Sequence, residues 1–179
     1  MRLKDKYKKQ IVPDMQKKFA YKNENLVPRL EKVVLNVGFG KHHKEQAYVD
    51  SVAATLRQIS GQNPVMTKSK KSISAFKIRD GLVIGAKVTL RGSRMYDFVD
   101  KLVNITFPRV RDFRGLDPKA IDDQGNLTVG FKENISFPEI IVEDAAHIHG
   151  LEVIINTTAK TKAEGLEFLT LIGFPFKKN

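Results

Sequence analysis

The chain contains no cysteine, which excludes disulfides, thiolate-bound metals and cysteine nucleophiles together. Tryptophan is absent as well. No apolar run approaches the roughly 20 residues needed to cross a bilayer, and the opening MRLKDKYKKQ lacks the apolar centre of a signal peptide. A cytosolic protein with no membrane partner is therefore expected. Negative charge is scarce too: 20 acidic residues stand against 31 basic ones, for a formal net charge of +11. What is present is enough to fold. A hydrophobic share of 41% supplies a core, a charged share of 28% is ordinary for a globular chain, and 179 residues suit one compact domain. The basic excess favours nucleic acid, or another anionic surface, as partner.

Catalytic signatures are also missing. The sequence has no nucleophile elbow, no H-E-x-x-H, no paired-carboxylate motif and no serine–histidine pattern, so no enzyme activity, cofactor or metal is expected. Gly38-Phe39-Gly40-Lys41, between a strand and a helix, superficially resembles a phosphate cradle. The P-loop pattern fails because His42 follows Lys41, and G-x-G-x-x-G fails at His43. A nucleotide-dependent enzyme built on this loop is the weaker alternative. His147 and His149 form an H-x-H pair and His42 adjoins His43, but neither pair has an evident third ligand. They read as surface or internally satisfied histidines.

Residues 1–22 form a basic arm in which Leu3, Tyr7, Ile11, Met15 and Phe19 recur at four-residue steps. Pro13 within that stripe predicts a kink or two short helices. The arm suits both packing on the core and a lysine-rich face toward nucleic acid. A strand is predicted over 31–38, with Val33, Leu35 and Val37 on one side and Lys32, Val34, Asn36 and Gly38 on the other. An asparagine in mid-strand needs partners for its amide, and Lys32 beside it argues for a wet, ligand-facing side. A helix follows over 45–59, stopped at Gly61. The turn at Gln62-Asn63-Pro64 offers amides that can bond base edges or merely cap the turn; the residues leave both open.

From Gly61 to Gly92 the chain reads as strand, loop and strand with an unusual basic load: Lys68, Lys70, Lys71, Lys77, Arg79, Lys87 and Arg91 against Asp80 alone, with one aromatic, Phe76. In its second strand Ile84, Ala86, Val88 and Leu90 make a buried face, while Gly85, Lys87, Thr89 and Arg91 make the other. Two strands with polar, basic faces opposite the core predict a sheet whose outer face is a binding platform. Ser93 is placed to cap a helix over 94–105, with Met95, Phe98, Val99, Leu102 and Ile105 inward and Pro108 at its end. Residues 109–125 read as a long exposed loop. Strands are expected over 127–131 and 151–157, and Thr161 to Glu164 is a capping box for a final helix stopped at Gly173. Glu139, Glu143, Asp144 and Glu152 form an acidic island with no lysine or arginine among them. It suits a basic protein surface or plain solvent.

The blocks VPRLEKVVLNVGFG, LRQISGQNPVMTKSKKSISAFKIRDG, IGAKVTLRGSRMYDFVDKL, FPRVRDFRGLDPKAIDDQGNLTVGFKENISFPEI, GLEVIINTTAKTKAEGLEFL and GFPF, in that order, resemble the bacterial large-subunit ribosomal protein L-five family, which binds 5S ribosomal RNA. The resemblance covers nearly the whole chain. It implies an α+β fold: a single ribosomal RNA-binding domain with a curved antiparallel sheet, helices on one face and the other face open to RNA. It also implies a structural role in the central protuberance, with 5S and 23S RNA and neighbouring 5S-binding proteins as partners. Positions matching Asn36, Gln62, Phe76 and Thr89 are implied in 5S binding. Lys32, Asn63, Lys87 and Arg91 join them here from their place on the polar face and turn. The family's basic loop, matching Lys68 to Arg79, is implied to reach the peptidyl-site transfer RNA through Lys68, Lys70, Lys71, Lys77 and Arg79. Its acidic segment, matching Lys132 to Gly150 with Glu139, Glu143 and Asp144, is implied to bridge to the small-subunit protein S-thirteen. The chain departs from the family pattern at Lys41-His42-His43-Lys44 and at Ala145-Ala146-His147-Ile148-His149.

Overall fold

The computed structural model describes residues 2–140 and 148–177. Five strands form one antiparallel sheet: β1 (Leu30–Gly38), β2 (Val65–Lys68), β3 (Val83–Leu90), β4 (Leu127–Phe131) and β5 (Leu151–Thr157), in the order β2-β3-β1-β5-β4. The helices are α1 (Leu3–Lys6), α2 (Val12–Phe19), α3 (Gln46–Ser60), α4 (Gly92–Lys101), α5 (Phe107–Arg109) and α6 (Lys162–Ile172). None among the described residues is long and apolar enough to cross a membrane. The α+β expectation is met. Contacts group the chain into two compact units, Met1–Val33 with Leu90–Val129 and Ile154–Asn179, and Val34–Thr89 with Gly130–Val153.

The strands follow their period-two pattern. Val33, Leu35 and Val37 are buried along β1 while Lys32, Val34 and Asn36 are only half-covered. In β3, Ala86, Val88 and Leu90 are buried and Lys87 is exposed. Strands β4 and β5 have the predicted bounds, and β5 lies inside the sheet.

Both prolines thought to interrupt helices are accommodated by a π turn instead. Tyr7–Ile11 joins α1 to α2, with the Val12 N–H donating to the Tyr7 carbonyl just before Pro13. Leu102–Thr106 joins α4 to α5, with the Phe107 N–H donating to the Leu102 carbonyl just before Pro108. Widening the turn by one residue moves the carbonyls away from a ring that cannot donate. It also shifts the phase of the buried stripe. Ile105, expected inward, is 44% exposed, and Thr106 and Phe107 take the inward places at 0% and 1%. Two further expectations are corrected. The N-cap of α4 is Arg91, with no side-chain cap, because the helix starts at Gly92 rather than after Ser93. The 109–125 loop is tied down: Leu116 and Ile121 are buried, and Leu116 pairs with the tail through Pro175 and Lys177.

In the first unit the stripe Leu3, Ile11 and Met15 is buried, Tyr7 meets Phe168 edge-on at 6.1 Å, and Lys6 donates to the Ile172 carbonyl at the C-terminus of α6 (3.1 Å). A cation there also complements the helix dipole. Thr161 caps α6 in a complete capping box, and Glu164 accepts from the Tyr21 hydroxyl at 2.6 Å. Burial raises the Glu164 pKa, but hydrogen bonds from Tyr21, Lys160 and Thr161 outweigh it and leave the carboxyl below its ordinary value of 4.5.

Two predictions follow from this packing. A depressed carboxyl stabilises the fold above its unfolded pKa and loses that contribution as pH falls through the folded pKa. Glu164→Gln should therefore lower stability at neutral pH and leave it little changed well below pH 4.5, so that the acid limb flattens in urea melts at stepped pH. The Thr106 hydroxyl is buried with no hydrogen-bond partner among the described residues. Thr106→Val, of equal shape, should raise the urea midpoint at unchanged m, by about 0.5–1 kcal/mol.

Candidate nucleic-acid interface

Strands β2 and β3 pair antiparallel with Val65 opposite Lys87 and Thr67 opposite Gly85, and the register slips between Thr67 and Lys68. Alternation then puts Val65, Thr67, Gly85, Lys87 and Thr89 on the same side. No side chain fits at Gly85: a Cβ there would lie 2.7 Å from the Thr67 Oγ1 and 3.0 Å from the Val37 carbonyl oxygen. On β1, the Asn36 amide donates to the Glu152 carboxylate of β5 at 3.4 Å. The mid-strand amide thus has an internal partner on the polar side. The Gln62 amide donates to the Thr89 carbonyl at 3.3 Å, which brings the turn after α3 onto β3. Asn63 is exposed beside Pro64 and lines an open groove with Arg57. Gly61 closes α3 in the left-handed conformation that glycine adopts freely. In the first unit Lys32 is half-covered, and the Arg91 guanidinium lies 3.9 Å from Glu31. That pair is exposed and contributes little.

The basic loop is a closed finger. At its root the Ser69 N–H donates to Leu82 and the Gly81 N–H to Ser69, while the buried Ser69 hydroxyl donates to the Lys71 carbonyl at 2.7 Å. Further out, Ile73 and Ile78 form a bridge around a single turn, Ser74–Phe76, and Lys77 takes a left-handed conformation. The sequence reading gives Ser69 no role, because nothing local shows that its backbone pairs with Gly81 and Leu82. Lys68, Lys70, Lys71, Lys77 and Arg79 are all exposed on this frame, and none forms an ion pair among the described residues. Phe76 also sits on the finger, 66% exposed, rather than on a strand.

The glycine loop is not arranged as a phosphate cradle. The Phe39 N–H is bonded to the Ile84 carbonyl, the helix begins only at Gln46, and its N-cap is Glu45, an acid where an anion would have to sit. The His42 ring lies tilted by 33° against Tyr48, 4.7 Å between centroids, and contacts Glu45. His149 is 5% exposed, meets Tyr48 edge-on and faces the Gly150 carbonyl at 3.2 Å; burial pushes its pKa down. Of the acidic island, Glu139 and Glu152 are half-covered. Glu143, Asp144 and His147 lie outside the described residues.

Fold and surface together define an α+β domain that holds a polar sheet face and an uncompensated basic finger in one unit. The chain matches the C-terminal family model of ribosomal L5 over residues 83–176 and the model described as ribosomal protein L5 over residues 23–79. Relatives named large ribosomal subunit protein uL5 include one from Carboxydothermus hydrogenoformans, 52% identical over 99% of both chains. Others are from Lacticaseibacillus casei, 50% identical over 99% of this chain and 98% of the relative, and Kosmotoga olearia, 51% identical over 98% and 96%. The chain belongs to the ribosomal protein L5 family.

The close approach at Gly85 generates a further prediction. Gly85→Ala should destabilise by about 1–3 kcal/mol in urea unfolding, the usual cost of overpacking. Adding Thr67→Ala should recover part of that loss, since the Val37 carbonyl alone then stands close.

Proposed function

We propose that this protein is a structural, non-enzymatic constituent of the large ribosomal subunit that binds 5S ribosomal RNA through the polar face of its sheet. Family membership supports the ribosomal role. On that reading Asn36, Gln62, Asn63, Lys87 and Thr89 meet 5S RNA, with Lys32 and Arg91 adding charge and Phe76 offering a stacking surface. Lys68, Lys70, Lys71, Lys77 and Arg79 reach the peptidyl-site transfer RNA. The acidic segment around Glu139, Glu143 and Asp144 contacts the small-subunit protein S-thirteen. The observation that carries the reading of the chain as an RNA binder is the finger: five exposed cations on a hydrogen-bonded frame with no ion pair among the described residues. Such charges gain little from their own protein and much from displacing counterions along a phosphate backbone.

The purified chain should bind 5S RNA with an affinity that falls steeply between 50 and 200 mM salt. Asn36→Ala and Thr89→Ala should each weaken binding by about five- to tenfold, the worth of one hydrogen bond, with circular dichroism unchanged. Normal binding by both variants rejects the sheet face. Lys70→Glu with Lys71→Glu should spare 5S binding and weaken transfer RNA binding; loss of 5S binding would mean that the finger belongs to the 5S surface.

A further inference from the structure

The segment Lys41-His42-His43-Lys44 is basic, and the structure puts part of it against the finger. His43 and Lys44 line one side of an open cleft of about 680 Å³, and Ser72, Ser74, Lys77 and Arg79 line the other, over a floor of Ile78 and Leu82. The two sides are held in place. Gly40 sits over Ile78, with its Cβ position 3.7 Å from the Ile78 Cδ1, and a 2.7 Å contact joins the His43 Nδ1 to the Gly40 carbonyl, so that nitrogen carries the proton.

The lining contains no carboxylate. Lys44, Lys77 and Arg79 have no ion pair among the described residues. The Ser72 oxygen accepts the Asp80 N–H at 3.0 Å, so its own proton is available to donate. Three cations and two hydroxyl donors on apolar walls match a tetrahedral anion whose ester arms continue outward. An uncharged or cationic ligand would leave these groups unbalanced.

We propose that this cleft is a phosphate-binding subsite, in which Lys44 and His43 extend the finger's hold on an RNA strand. The proposal rests on the reading of the finger as an RNA contact. It adds a phosphate contact beyond the five finger cations and gives the basic segment at 41–44 a role in it. A free phosphate or nucleotide would share the chemistry but lack the strand that runs on along the finger.

The test is a titration of the full-length ¹⁵N-labelled chain with a short mixed-sequence RNA, and separately with ATP and inorganic phosphate, following backbone amides by NMR. Saturable shifts at His43, Lys44, Ser74 and Lys77 are expected with RNA, at concentrations where ATP and phosphate shift them little. Lys44→Glu should weaken the RNA by about tenfold, and Lys44→Gln should lower the magnitude of its log–log salt slope by about one. Lys44 is exposed, so both variants should fold. Shifts at Lys70 and Lys71 with none in the cleft would overturn the proposal and leave the finger reading intact. Shifts in the cleft with none at Lys70 and Lys71 would support the subsite and sink the finger tip. Equal shifts with ATP or phosphate, or no shifts at all, would overturn an RNA subsite.

Discussion

Strand β1 is hydrogen-bonded to β3 on one edge and β5 on the other, so its backbone groups are committed to two ladders and its pleat is fixed. With Val33, Leu35 and Val37 buried on one side, Lys32, Val34 and Asn36 have to lie on the other. A slip of one residue would bury the Lys32 ammonium and the Asn36 amide and expose three aliphatic side chains. Burying one unpaired polar group costs about 1–3 kcal/mol, and an unpaired charge costs more. The register of β1 is therefore strongly specified, and through β3 it determines which side Lys87 and Thr89 present. The polar face follows from the apolar one.

The helical stretches solve a different problem. Pro13 and Pro108 each fall where an α-helical hydrogen bond would be required, and a break there would split the stripes that pack Leu3, Ile11 and Met15, or Met95, Phe98 and Leu102. A π turn before each proline absorbs one residue and keeps the axis running. It leaves a polar residue, Thr106, at a fully buried place, its hydroxyl without a partner among the described residues.

That difference marks what could be read from the sequence. Period-two alternation in β1 and β3 assigned the two faces correctly, since each strand carries its signal within eight or nine residues. The capping box at Thr161 and the glycine stop at Gly61 were legible because their chemistry is local. The π turns were not: an inserted residue leaves composition unchanged, and only the rotation of Ile105 outward reveals it. Leu116 reads as exposed because its partner, Phe176, lies 60 residues further along the chain, and Ile121 because its bridge to Leu127 closes a turn with no regular period. At the candidate site, residue types and faces were visible in advance. The partners of Asn36 and Gln62, the backbone partners of Ser69, and the approach of His43 and Lys44 to the finger come from pairings across 12 to 116 residues that no local pattern encodes.

Those pairings separate two kinds of contact on one surface. The amides of Asn36 and Gln62 already donate to Glu152 and to the Thr89 carbonyl. An RNA group that replaces such a partner exchanges one hydrogen bond for another, and the net gain is small. What these side chains supply is a fixed position from which a correctly shaped ligand can be met and a wrong one left unpaired. The finger cations form no ion pair among the described residues, so on the proposed reading neutralising a phosphate there would be repaid by released counterions. On a chain of net charge +11 it also relieves self-repulsion. On the proposed assignment the finger would hold its RNA mainly by charge and with strong salt dependence, and the sheet would select its own RNA by shape and register. The backbone hydrogen bonds at Ser69, Ile73 and Ile78 hold these like charges together in the free chain, which is the preorganisation that the proposed RNA contact needs.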